Sequence, residues 1–187
     1  MRANWFIGLP VPAGPWFAAL QPPAGVRLFG LEDLHVTVAF LGAVDEARAR
    51  AAFELAQDFP LRALSVTLAQ VEALGSRRRP SAFSALLGEG RAEVEHAMGA
   101  TRGAMWERAA AREDTRPPLA HVTLARPERR ANHVQREAAL AWAKQLVLGA
   151  PRCQLTGIAL YTWSADRSSD RSLALFRRVC VLPLRAG

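Results

Sequence analysis

The feature that most restricts how this chain can fold is an internal echo. Leu34-His35-Val36-Thr37-Val38-Ala39-Phe40 and Ala120-His121-Val122-Thr123-Leu124-Ala125-Arg126 agree at His, Val, Thr and Ala. Both segments read as strands, where residues two apart share a face. His35 therefore projects with Thr37 and His121 with Thr123, while the valines between them turn into a core. Polar side chains on one face of an apolar strand are costly unless they find hydrogen bonds or line a wet cleft. A lone His-X-Thr reads best as a satisfied structural pair; its repetition favours the cleft. Each copy is also followed, after a short turn, by a helical segment, which suggests an old duplication with two similar lobes facing each other across a groove.

The remaining segments are mostly strands, with helices returning between them. Trp5 to Leu9 reads as a first strand, and Val26 to Gly30 and Leu34 to Gly42 as two more, joined by a Leu31-Glu32-Asp33 turn. Asp45 is placed to cap a helix over Asp45 to Gln57, closed by Pro60. Strands follow over Ser65 to Ala73 and Ala82 to Leu87, separated by a basic loop, Ser76 to Pro80. The helix expected over Arg91 to Arg112 puts Val94, Met98, Met105 and Ala109 on one face. Pro117 and Pro118 launch a strand over Leu119 to Arg126. A helix over Asn132 to Leu148 and strands over Gln154 to Trp163 and Ser172 to Leu182 complete the chain.

The 187 residues, half of them hydrophobic, suffice for one compact unit with a sizeable core, which argues against disorder. Against 17 Asp and Glu stand 24 Lys and Arg, giving a net charge of +7 and an isoelectric point near 11.0. That balance favours an anionic partner such as nucleic acid. Lys144 is the only lysine; arginine suits phosphate forks, but a GC-rich genome produces the same bias and is the better explanation. Cys153 and Cys180 are too few for a disulfide framework and fit buried strand positions in a reducing cytosol. Gly8, Pro10 and Pro12 interrupt the apolar N-terminus before it resembles a signal peptide. No apolar run approaches the ~18 residues a membrane helix needs, so a cytoplasmic monomer is expected.

Two facing histidines can supply a general base and a general acid, because an imidazole titrates near ~6.5. That pairing suits phosphodiester cleavage: one imidazole takes a proton from the attacking water and the other gives one to the departing ribose oxygen. The threonine hydroxyls can donate to non-bridging oxygens, where charge grows in the transition state. Such a mechanism needs no metal and no cofactor. His96 and His133 fall on expected helices among charged residues and read as solvated.

The doubled His-X-Thr resembles the signature of the 2H phosphoesterase superfamily, and within it the RNA 2′,3′-cyclic phosphodiesterases, or 2′-5′ RNA ligase-like proteins. Phe6 to Leu9 resembles that family's first strand, His35 to Gly42 its His-X-Thr-X-X-Phe-Leu-Gly box, Arg78 to Leu87 its middle strand and His121 to Arg126 its second box. The resemblance implies an α+β, bilobal fold. Two antiparallel sheets would be related by a pseudo-two-fold axis, with helices on the outer faces and the active-site groove between the lobes. It implies hydrolysis of a terminal 2′,3′-cyclic phosphate of RNA to a 2′-phosphate, with His35 as proton donor, His121 as proton acceptor, and Thr37 and Thr123 beside them. From the residues alone the two imidazoles are interchangeable. The family commonly has Pro where Ala120 stands. It also implies that Phe40 stacks a base and Arg126 contacts substrate, whereas strand parity turns both away from the histidines unless a bulge intervenes.

Weaker candidates are Arg77, Arg78 and Arg79, which read as a solvated loop or a track for RNA phosphates. Tyr161, Trp163, Arg167 and Arg171 flank a Ser-rich turn that can stack or clamp a base. Trp5, Trp16, Trp106 and Trp142 read as packing residues. Competing functions are 2′-5′ joining of RNA ends, hydrolysis of a small cyclic nucleotide, and RNA binding without turnover. Metal-dependent phosphoester chemistry is disfavoured, because Asp33 and Asp166 stand apart from any ligand-spaced cluster.

Overall fold

The computed structural model describes residues 3–76, 80–164 and 174–187. The candidate residues Arg77, Arg78, Arg79, Asp166, Arg167 and Arg171 lie outside them. The chain runs β1 (Trp5–Pro10), α1 (Pro15–Ala18), β2 (Val26–Leu28), a 3-10 turn (Leu31–Asp33), β3 (His35–Gly42), α2 (Glu46–Glu54), a second 3-10 turn (Leu55–Asp58), β4 (Leu64–Gly75) and β5 (Pro80–Leu87). It continues with α3 (Arg91–Ala109), β6 (His121–Pro127), α4 (His133–Gln145), β7 (Arg152–Leu155), β8 (Gly157–Trp163) and β9 (Phe176–Pro183).

The strands form one curled antiparallel sheet in the order β7-β4-β5-β6-β3-β1-β8-β9, with β2 attached to β6. Four strands of this order lie on each side of the junction of β3 and β6, the two strands that carry His-X-Thr. The two expected sheets are thus the halves β3-β1-β8-β9 and β6-β5-β4-β7. They meet through a single bridge, Val36 to Val122. The pseudo-two-fold axis passes through the residue between His and Thr in each copy.

The helices start where the sequence supplies caps. Asp45 Oδ1 accepts the Arg48 N–H at 2.9 Å, and Asn132 and Gln135 cap each other reciprocally, both bonds 2.9 Å. α2 packs on β1 and β8, and α4 on β4; the helix after each His-X-Thr strand therefore covers its own half. Two elements cross over: β2 pairs with β6 and α3 packs on β3. Val94, Met98, Met105 and Ala109 of α3 are buried together as their spacing predicts. The helix stops at Ala109, short of the expected Arg112, because Ala110 adopts a left-handed conformation at φ 49° and closes it.

Two expectations need correction. The strand expected over Gln154 to Trp163 is two strands: β7 pairs with β4 and β8 with β1, in opposite halves. Burial alternates along β7 and becomes continuous along β8, which lies between β1 and β9. The change of pattern at Thr156 marks the crossing. Cys153 is buried, but Cys180 is only half-buried, because β9 is an outer strand; its Sγ lies 3.2 Å from an Arg50 guanidinium nitrogen.

Candidate active site

The Val36–Val122 bridge sets the register at the centre of the sheet. In an antiparallel pair that register places His35 opposite Thr123 and Thr37 opposite His121. All four side chains line one cleft of about 910 Å³. Each imidazole is tied in the same way: Nδ1 of His35 lies 2.6 Å from the Asp33 carbonyl oxygen and Nδ1 of His121 lies 2.7 Å from the Leu119 carbonyl oxygen. A carbonyl can only accept, so Nδ1 carries the hydrogen in both rings. That leaves the two Nε2 atoms for the cleft.

The surroundings of the two rings differ. His35 is buried, stacked on Phe6 at 4.6 Å, tilted against Tyr161 at 5.3 Å and met edge-on by Phe176 at 5.4 Å. This burial pushes its pKa down to about 4; the Asp33 carbonyl opposes the shift, and the positive charges of His121 and Arg126 add to it. His121 is half-buried and is also lowered, first by burial, with the Leu119 carbonyl opposing and the Arg116 charge adding. Both rings are therefore neutral at pH 7 in the free protein.

Phe40 and Arg126 line the same cleft as the histidines, so unbroken strand parity gives the wrong side for both. The cause is a matched pair of bulges. Along β1 the partners of β3 step from Thr37 to Ala39, skipping Val38; along β5 the partners of β6 step from Thr123 to Ala125, skipping Leu124. One extra residue immediately after each threonine restores the cleft side two residues later. Phe40 is then 53% exposed at the cleft wall, and the Arg126 guanidinium lies over the Phe29 ring, 5.2 Å from its centroid.

The family model described as LigT like Phosphoesterase matches residues 11–83, a segment that contains the first His-X-Thr but not the second. Solved structures match both. The Thermus thermophilus protein TT0787 aligns with a TM-score of 0.70 at 18% identity, covering 98% of each chain. LigT of E. coli, complexed with 3′-AMP, aligns with a TM-score of 0.65 at 20% identity, over 98% of this chain and 99% of that one. The chain has the fold of a 2H phosphoesterase. Usb1 of Kluyveromyces marxianus is a more distant match, with a TM-score of 0.51 at 10% identity over 97% of each chain. No curated protein matches the sequence. The family match over residues 11–83 points to phosphoester chemistry.

Several residues of this site give no clear signal in the sequence. Ser84, fully buried on β5, has Oγ 3.2 Å from Thr123 Oγ1; its one signal was a hydroxyl inside the apolar run Ala82 to Leu87. The buried Asp33 carboxylate accepts N–H bonds from Gly30, Leu175 and Phe176, each 3.0 Å. It thereby joins the turn before His35 to the start of β9, a link no local pattern reveals. Glu95 Oε1 accepts from the Ala120 N–H at 2.9 Å and from Arg91 at 2.7 Å. A proline at position 120 would lack that N–H. Trp106, read as packing, also forms cleft wall, and its indole N–H donates to the Phe40 carbonyl at 3.1 Å. Tyr161 is wholly buried behind Phe6, ring on ring at 4.8 Å, and cannot stack a base; Trp163 does line the cleft. His96 and His133 are exposed on their helices. Among the described residues no group of three or more His, Cys, Asp and Glu side chains is placed to hold a metal ion, and no helix is long and apolar enough to cross a membrane.

Proposed function

We propose that the chain hydrolyses the terminal 2′,3′-cyclic phosphate of RNA to a 2′-phosphomonoester. The observation that carries this reading is the pair of Nε2 atoms turned into one cleft, each with Nδ1 held by the carbonyl two residues earlier. With Nδ1 protonated, a neutral ring offers a lone pair at Nε2 and a charged ring offers a proton there, so one fold position serves base or acid. His121, the more open ring, takes a proton from water as the water oxygen bonds to phosphorus. The bond from phosphorus to the 3′ oxygen breaks, and His35, shielded behind Phe6, gives its proton to that oxygen. Thr37 and Thr123 donate to the non-bridging oxygens. Burial is the main cause that lowers His35, with the charges of His121 and Arg126 adding to it; a bound phosphate sets negative charge beside the ring and offsets those charges, which supports its proton until transfer. Phe40 stacks the terminal base and Arg126 contacts phosphate. The enzyme acts as a cytoplasmic monomer on RNA ends, without a metal or cofactor.

The test is product analysis on a short RNA ending in a 2′,3′-cyclic phosphate. Release of 2′-phosphate, with losses of orders of magnitude in His35→Ala and His121→Ala, is the expected outcome. A 3′-phosphate product, or undiminished turnover in both variants, refutes the reading.

A further inference from the structure

We propose that Arg27 and Arg126 form a second anion subsite, which takes the backbone phosphate next to the reacting one in an RNA chain. The inference rests on the reading above, in that the reacting phosphate sits between His35 and His121. Arg27 of β2 pairs directly with Arg126 of β6. Residues directly opposite in an antiparallel pair share a face, with Cβ atoms ~4.5–5.5 Å apart, and like charges so placed repel. Arg126 lines the cleft over Phe29, and Phe29, two residues beyond Arg27, lines it too. Val26, by contrast, packs with Phe83, Ala125, Ala139 and Ala143 under α4. By pairing and parity Arg27 shares the sheet face of Arg126, next to the residues that line the cleft and not among them.

Among the described residues the Phe29 ring beneath Arg126 offsets this juxtaposition in part. Neither arginine forms an ion pair with a described carboxylate, and Nε of Arg27 is buried with no hydrogen-bond partner there. The other three arginines of the cleft wall are engaged: Arg91 with Glu95, Arg116 with Asp114, and Arg102 with the Arg116 carbonyl and the Trp106 ring. Two arginines paired across neighbouring strands beside a phosphoester site can share one anion, because each carries a fork that fits phosphate oxygens. The spacing suits a neighbouring nucleotide. From Thr123 to Arg126, past the bulge at Leu124, β6 advances by about two strand residues, or ~7 Å. The topology has a purpose in this reading: β2 leaves its own half of the sheet and delivers Arg27 to the half that holds Arg126.

The subsite predicts a preference for substrates with more than one phosphate. In Arg27→Gln, the ratio of kcat/KM for a tetranucleotide ending in a 2′,3′-cyclic phosphate to that for a nucleoside 2′,3′-cyclic phosphate should fall about tenfold. Fluorescence anisotropy on a labelled tetranucleotide ending in a 2′-phosphate measures the contact without turnover. The slope of log K against log salt should lose about 0.7 in Arg27→Gln and be retained in Arg27→Lys. An unchanged slope in Arg27→Gln overturns the subsite. If the wild type turns over neither substrate, the phosphodiesterase reading fails, and the salt slope still decides the role of Arg27.

Discussion

Acidification should destabilise the fold through one identified ring. His35 titrates near ~6.5 in the unfolded chain, whereas burial against Phe6, Tyr161 and Phe176 holds it at about 4 in the folded one. Between these values the unfolded chain binds a proton that the folded chain refuses, so stability rises with pH across that window. The contribution is fully present above pH 6.5, is lost as pH falls, and levels off below pH 4. At ~1.36 kcal/mol per pH unit the whole loss is about 3 kcal/mol, of which about 2.5 kcal/mol is gone by pH 4.5. Urea midpoints of the wild type and His35→Gln at pH 7.0 and pH 4.5 measure it. Carboxylates and His121 titrate in both proteins and cancel in the comparison, so the variant should lose less stability on acidification by that amount. Equal losses in the two proteins would show that His35 is not the buried neutral ring described above.

Three further outcomes are expected. Both imidazoles are lowered in the free protein, and kcat/KM reports the free enzyme, so its bell should peak below pH 6.5. The kcat bell should lie at higher pH, because bound phosphate favours the imidazolium; a kcat/KM optimum at or above that of kcat contradicts this. Ser84→Ala removes the 3.2 Å contact to Thr123 Oγ1 and should lower kcat about fivefold, against about 100-fold for Thr123→Val. The double variant should be no slower than Thr123→Val alone, and additive losses refute a role through that hydroxyl. In Gly8→Ala the new Cβ would sit 2.8 Å from the Val36 carbonyl oxygen and 3.4 Å from His35 Cδ2. A main-chain atom cannot swing away as a side chain does, so the variant should lose about 1–3 kcal/mol and melt several degrees lower in calorimetry; an unchanged Tm refutes it.

What the sequence makes legible is whatever depends on local period. His35 with Thr37, His121 with Thr123, the cap Asp45, and the buried stripe of α3 all follow from spacing within one element, and the structure places them so. What depends on a partner strand is not legible. The bulges at Val38 and Leu124 are changes of register against β1 and β5, and without them alternation assigns Phe40 and Arg126 to the wrong face. The break at Thr156 exists because β7 and β8 serve opposite halves. Asp33 shows the same limit: its three N–H partners include two from the far end of the chain, so as an isolated acid in a turn it gives no sign of structural work.

The echo itself poses a problem that only three-dimensional surroundings address. A pseudo-two-fold axis through Val36 and Val122 makes the motifs equivalent, and equivalent imidazoles cannot divide the work of acid and base. The symmetry is broken one layer out. His35 lies under an aromatic box of Phe6, Tyr161 and Phe176, while His121 is less buried and has Arg116 as its charged neighbour. Burial alone leaves His35 neutral, so in the proposed division its acid proton is one that bound phosphate supports, with the aromatic box excluding water beside it, and the open ring admits the water that must attack. The division of labour proposed for the two copies therefore comes from β1, β8 and β9, which pack against the first histidine and, among the described residues, have no aromatic counterparts beside the second.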